Sequence, residues 1–275
     1  MIKLLDLLLE ISSNPKAIIL AGGAGAGKST LLKSLTPYLK GFQIINPDKY
    51  LEDKNSPFYG NLAKSSNQVD NKDVPEALKT KQNFVWDTTA SNANKMLGGE
   101  YRKKEVQGIL NTPGYEFMMV MVYAHPIVSL LRNFGRDRKL PIVGVLSTWN
   151  SVYKNIKGYQ DKLGNNFLLL QSPPKEHQKE VDKFNKAVAS NRLSEYFEEL
   201  VSSDPKKFSS SFRKSDDGLS PEELEKREKS RAKSQEILKS EIDKLEKQYN
   251  EISNIIKKHD NSEEEIKNKV KTFSA

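Results

Sequence analysis

Short apolar runs separated by longer mixed stretches fill the first two thirds of the chain. Ala17 to Ala21, Phe42 to Ile45, Asn83 to Asp87, Tyr115 to Tyr123 and Asn166 to Gln171 are each too short for a helix and rich in apolar side chains. Such runs predict strands buried in a parallel sheet. Between them the spacing predicts helices from Lys28 to about Leu39, from Val74 to Lys81, over 92–110 with a break near Gly98-Gly99, over 126–139 and over 146–163. Residues 53–73 are polar and predict a long loop or a small helical insertion, a usual place for substrate contacts. Residues 1–13 predict a leading amphipathic helix with Leu4, Leu5, Leu8 and Ile11 on one side, ended by Asn14-Pro15. Strands alternating with helices predict an α/β fold with a five-stranded parallel sheet.

The pattern changes after Ser172-Pro173-Pro174. Residues 176–201 read as a helical extension and 202–220 as a serine-rich linker. Ser220 followed by Pro221, Glu222 and Glu223 starts a helix that runs to about His259. In it Leu238, Ile242, Leu245, Tyr249, Ile252 and Ile256 alternate four and three apart, whereas Lys226 to Gln235 carries no such stripe. That predicts a short coiled coil or a helix packed on another, serving self-association or protein docking. The expected division is 1–175, 176–201, 202–220 and 221–275.

One motif dominates the candidate chemistry. Gly22, Gly23, Ala24, Gly25, Ala26, Gly27, Lys28 and Ser29, followed by Thr30, match G-x-x-x-x-G-K-[ST] between a predicted strand and a predicted helix. Backbone amides can surround phosphates only where side chains do not intervene, which explains the glycines and the small alanines. Lys28 would reach the β- and γ-phosphates of a nucleotide, and the Ser29 hydroxyl would hold Mg²⁺. An ordinary strand-to-helix turn needs one or two glycines and has no use for Lys-Ser at that place. ATP and Mg²⁺ are the expected cofactors.

Two strand ends add carboxylates. Asp48 lies twenty residues beyond Lys28, where neighbouring strands share one crevice. There it can take the proton of an attacking hydroxyl; the plainer reading is a helix cap after Pro47. Asp87, with Thr88 and Thr89, could hold the metal shell through water, orient a substrate, or simply close a turn. Arg132 and Arg136, four apart, would share a helix face, and Arg138 follows, so the three predict an arginine lid over the transferring phosphoryl group.

Composition narrows the picture little further. The chain of 275 residues is 36% hydrophobic and 29% charged, with no apolar stretch of membrane-span length. It has no cysteine, which excludes disulfides and thiolate metal sites and fits a cytoplasmic setting. The net charge of +8 favours acidic partners, nucleic acid among them, although lysine-rich surfaces are common. His125, His177 and His259 make no metal-ligand spacing.

Five segments taken together carry a resemblance: GGAGAGKST (22–30), INPDKY (45–50), FVWDTTASNANK (84–95), VYAHPIVSLLRNFGRDRKLP (122–141) and the TWNSVYKN…GNNFLLLQ ending. Over about residues 15–172 the chain resembles the zeta-toxin-like and polynucleotide-kinase-like P-loop kinases, many of them phage-encoded. The resemblance implies a P-loop kinase of adenylate-kinase type with a helical C-terminal extension. It also implies ATP on 22–30, Asp48 as base, and Arg132, Arg136 and Arg138 in or beside the lid. The expected activity is transfer of the γ-phosphate of ATP to a hydroxyl on a nucleotide sugar, a nucleotide or another small molecule. Lys49, Tyr50 and Leu51 stand where polynucleotide kinases tend to carry an arginine, which weighs against a nucleic-acid end. The alternatives are a nucleic-acid end kinase and an ATP-binding assembly protein that acts through its tail.

Overall fold

A computed structural model describes residues 14–57, 59–101, 103–136, 140–204 and 220–275. The leading helix expected over 1–13, Arg138 and most of the 202–220 linker lie outside the described residues. Strand β1 (Lys16–Ala21) feeds helix α1 (Lys28–Leu35), and β2 (Gln43–Ile45) feeds α2 (Asp48–Glu52). The polar stretch that follows is a helical insertion: α3 (Leu62–Gln68), a wide π-helical turn over Val69–Asp73, and α4 (Val74–Lys79). Then come β3 (Phe84–Asp87), α5 (Ala93–Leu97), a hairpin of β4 (Gly99–Tyr101) and β5 (Lys104–Val106), and β6 (Glu116–Tyr123). Helices α6 (Pro126–Phe134), α7 (Ile142–Tyr153) and α8 (Ile156–Leu163) lead into β7 (Phe167–Gln171).

The main sheet has five strands in the order β2-β3-β1-β6-β7, all parallel. Both faces of β1, β3 and β6 are covered by helices, and every residue from Phe117 to Tyr123 is buried. This is the five-stranded parallel P-loop kinase fold expected from the sequence, with helices added at the C-terminal end. Three local expectations differ. The 92–110 segment is one short helix and a hairpin, because Gly98-Gly99 ends the helix and three-residue strands are too short to show a period. The 146–163 helix is two, parted at Lys154-Asn155, where Asn155 Nδ2 donates back to Ser151 O at 2.7 Å and to Ser91 O at 3.3 Å. Helix α6 stops at Phe134, before Gly135, not near Lys139.

The C-terminal region comprises α9 (Gln178–Ala189), α10 (Leu193–Ser203), α11 (Pro221–His259) and α12 (Glu263–Ser274). Ser220 and Glu223 form the expected capping box of α11. The same device, Ser262 with Glu265, starts α12, a helix the periodicity reading did not include. The stripe of α11 is used inward: Ile242, Leu245, Tyr249, Ile252 and Ile256 are buried in the same core as the sheet. α11 lies along α7, where the Asn150 amide donates to Glu241 O at 2.9 Å and to its carboxylate at 2.8 Å. Gln248 Nε2 donates in return to Asn150 Oδ1 at 2.6 Å. Of the two arrangements the stripe allowed, packing on a neighbouring helix is the one present, and it stays within the chain.

The turn after α11 also closes a sheet edge. Asp260 Oδ1 accepts from Gln171 N at 2.7 Å and Asn261 Oδ1 from Leu169 N at 2.9 Å, while Asn261 N donates to Leu169 O at 2.7 Å. Edge strand β7 thus spends its amides on the tail instead of offering them to another chain. Among the described residues no helix is long and apolar enough to cross a membrane.

Two measurements follow from this packing. Leu245 is fully buried, so Leu245→Ala is expected to cost about 2–5 kcal/mol in denaturant unfolding, against under about 0.5 kcal/mol for a surface site. A loss that appears only on dilution would instead place the stripe between two copies. The second concerns His125, whose Nδ1 accepts from Ile127 N at 3.3 Å while Nε2 lies 2.7 Å from the Tyr249 hydroxyl. Burial pushes its pKa down to about 4, with the Asn185 hydrogen bond opposing. The unfolded chain therefore binds the extra proton first. Stability is full above about pH 6.5 and falls as the pH drops from there through 4, by no more than about 3 kcal/mol because part of the ring meets solvent. Unfolding curves of His125→Gln should show a shallower loss over that window; an unchanged slope would remove His125 from the acid response.

Candidate active site

β1 ends buried at Ala21, and the chain turns through Gly22–Gly27 into α1. The loop has no room for side chains at its tightest points. A Cβ on Gly22 would lie 2.6 Å from Val122 O, and one on Gly25, at φ +75°, would lie 2.5 Å from Ser129 O. Lys28 Nζ folds over the loop and donates to Gly22 O at 2.9 Å and Gly23 O at 3.4 Å. The amides of Lys28 and Ser29 open α1, so neither has a partner inside the helix, and no acidic side chain occupies that first turn. Bare amides, a helix N-terminus and a lysine converging on one point suit an anion, and the residues present fit a nucleotide's phosphates.

Asp87, at the end of β3, is 7% exposed and its carboxylate lies 3.9 Å from Lys28 Nζ. Burial lowers the Lys28 pKa; Asp87 and then Asp48 oppose this, while Arg136 adds to it. Burial raises the Asp87 pKa, which Lys28 counteracts and Asp48 reinforces. Asn46 joins the two strand ends, since its Nδ2 donates to Asp87 Oδ2 at 3.3 Å and its Oδ1 accepts from Asp48 N at 2.8 Å. The N-cap of α2 is Pro47, so the capping oxygen near this helix start comes from Asn46.

These groups surround one cavity of about 270 Å³. Gly23 to Ser29 line it together with Asn46, Asp48, Asp87, Thr88 and Thr89. The helical insertion contributes Ser66, Val69 and Asp70, and Asp70 is paired with Lys95 at 2.7 Å. Of the three arginines, Arg138 lies outside the described residues, and the other two part company. Arg136, in the turn after α6, reaches the cavity, whereas Arg132 donates to Ser172 Oγ and Pro173 O, each at 2.7 Å, and ties α6 to the segment after β7. With α6 ending at Phe134 the two do not share a helix face. Gly22 lends its carbonyl to Lys28, and Thr30 sits in the first turn of α1. Ser29 and Asp87 both border the cavity, and no cluster of three or more His, Cys, Asp or Glu side chains suited to a metal ion occurs among the described residues.

Sequence reasoning missed Asn46, Asp70 and Tyr153. Asn46 is two residues before Asp48 and was readable only as a strand stop. Asp70 lay in a stretch with no period. Tyr153, whose hydroxyl accepts from Gly23 N at 3.2 Å, is 130 residues away from the glycine loop and carries no local signal.

The model of the Zeta toxin family matches residues 7–143. No curated protein matches the chain. Among solved structures, one of the Pnkp1/Rnl/Hen1 RNA repair complex is 17% identical over 53% of this chain and 46% of that one, with a TM-score of 0.38. One of AvrRxo1-ORF1:-ORF2 with ATP is 17% identical over 61% and 57%, with a TM-score of 0.42. The match thus spans about half the length of each. A structure of the PezAT chromosomal toxin–antitoxin system of Streptococcus pneumoniae is 15% identical over 71% of this chain and 95% of that one, with a TM-score of 0.40. The Zeta toxin model spans the glycine loop, the buried lysine and both strand-end carboxylates, and over that half of its length the chain is similar to the zeta-toxin-like P-loop kinases.

Proposed function

We propose that the protein transfers the γ-phosphate of ATP to a hydroxyl group of a small molecule, with Asp48 as general base. The observation that carries this reading is the shared cavity. Lys28, Arg136 and the loop residues line the same cavity as Asp48, so groups that suit phosphates and a carboxylate that suits a base border one space. In the step itself the acceptor oxygen bonds to the γ-phosphorus as the bond to the β–γ bridging oxygen breaks, and ADP leaves. The hydroxyl proton passes to the Asp48 carboxylate. Lys28 and Arg136 offset the charge that spreads over the phosphoryl oxygens. Ser29 and Asp87 would hold Mg²⁺, which supplies further neutralisation of the phosphates. Asp87 is engaged by Lys28 and Asn46, which suits it to the metal side of the site. Ser66 and Asp70 of the insertion also line the cavity and would supply polar groups for an acceptor.

Lys28→Ala is expected to abolish transfer and to weaken ATP binding; unchanged affinity and turnover would sink the assignment. Asp48→Asn keeps the shape but cannot take a proton. ATP binding should survive, and transfer across a panel of hydroxyl acceptors should drop by about 10²–10⁴-fold. A variant that transfers at the parental rate would leave Asp87 as the next candidate.

A further inference from the structure

Helix α7 carries three side chains that the reaction scheme does not use. Trp149 Nε1 donates to Ala124 O at 2.9 Å, just past the end of β6. The Tyr153 hydroxyl donates to Val122 O at 2.8 Å and accepts from Gly23 N at 3.2 Å. Asn150 holds Glu241 and Gln248 of α11 through the contacts described above. All three are buried, and Trp149 and Tyr153 pack edge-to-face with each other and with Tyr123.

The Tyr153 hydroxyl is a one-atom bridge between the P-loop and β6. It pins Gly23 N–H to the carbonyl of Val122, beside which Gly22 already makes its closest approach. Its burial holds the phenol neutral, so the donor proton stays in place. A glycine-rich loop has wide conformational freedom, and a loop fixed in advance loses less entropy when a ligand binds. The bridge is only as firm as the helix that carries it. α7 is clamped within a turn of Tyr153 by Asn150, whose partners both come from α11, and Glu241 there is itself buried. Tyr153 and the whole of α11 lie beyond residues 7–143, the span matched by the family.

We propose that the C-terminal segment, residues 221–275, is a working part of the nucleotide site: it fixes α7, and Tyr153 of α7 is a positioning residue that holds the P-loop in its binding shape. This rests on the reading of the loop as an ATP site.

The test is ATP affinity by calorimetry on full-length protein, with thermal stability measured in parallel. Tyr153→Phe removes one oxygen and is expected to weaken ATP binding about tenfold, the scale of one ordering cost, with kcat at saturating ATP changed less than about threefold. Gln248→Met, at similar volume, removes the hydrogen bond that Asn150 Oδ1 accepts, leaves those from Asn150 to Glu241, and should weaken ATP in the same direction, by about threefold. Tyr115→Phe is the control, because its hydroxyl also bonds two backbone carbonyls, those of Ala77 and Gln82, but outside the cavity. It should lose stability and keep ATP affinity within about twofold. Equal affinity in Tyr153→Phe and the parent overturns the positioning role, as does an equal loss in Tyr115→Phe. Equal affinity in Gln248→Met overturns the link to the tail, and that variant carries the test should Tyr153→Phe not fold. A parent protein that binds no ATP overturns the functional reading, and this one with it.

Discussion

The constraint on which the site depends is the burial of the Lys28 charge. An ammonium group taken out of water costs several kcal/mol unless it is paired and hydrogen-bonded. Here two loop carbonyls accept from it, and the carboxylate of Asp87 lies close by on the neighbouring strand. That arrangement sets the loop's path, because Gly22 and Gly23 must turn their carbonyls inward. It also sets the register of the sheet, because Leu20 pairs with Asp87 and so brings the end of β3 level with the start of the loop. Asn46 then extends the same network to the third strand end and leaves Asp48 at the rim of the cavity.

A second layer holds this one in place from the opposite direction. Tyr159, on α8, donates to Ala90 O at 2.6 Å and anchors the loop that follows Asp87. Trp149 and Tyr153 do the same for the end of β6 and for the P-loop. In each case a large aromatic side chain supplies buried apolar area, and its single polar atom is satisfied by a backbone group of the site. The C-terminal helices complete the layer by covering α7 and the free edge of β7.

What was legible in the sequence follows from the range over which each signal acts. The strands are continuous apolar runs because both faces of a parallel sheet are covered, and the P-loop is a contiguous motif; both read directly. The helix start at Ser220 also read directly, because a capping box is local. The stripe on α11 announced that something would cover it, but not what: Leu245 packed on α7 and Leu245 packed on a second copy leave the same period. The break between α7 and α8 depends on the distant Ser91 carbonyl, and the role of Tyr153 on a glycine far away in sequence. Arg132 and Arg136 show the limit most plainly. Spacing put them on one helix face, yet α6 ends between them, and only their partners tell a strut from a cavity-facing cation.

The charges in the cavity carry one more consequence. Two cations, Lys28 and Arg136, and two carboxylates, Asp48 and Asp87, face the same small volume. Burial is the main reason that Lys28 and Asp87 depart from their ordinary pKa values; each is drawn back by the other and pushed further by its like-charged neighbour, Arg136 for Lys28 and Asp48 for Asp87. A ligand carrying only negative charge would relieve the cations and burden the carboxylates, and a lone cation would do the reverse. A ligand bearing both signs, with its anionic part toward the loop and its cationic part toward the strand ends, relieves both pairs at once. On the proposed reading, an anionic nucleotide that arrives with a cation is the ligand that suits these four charges together.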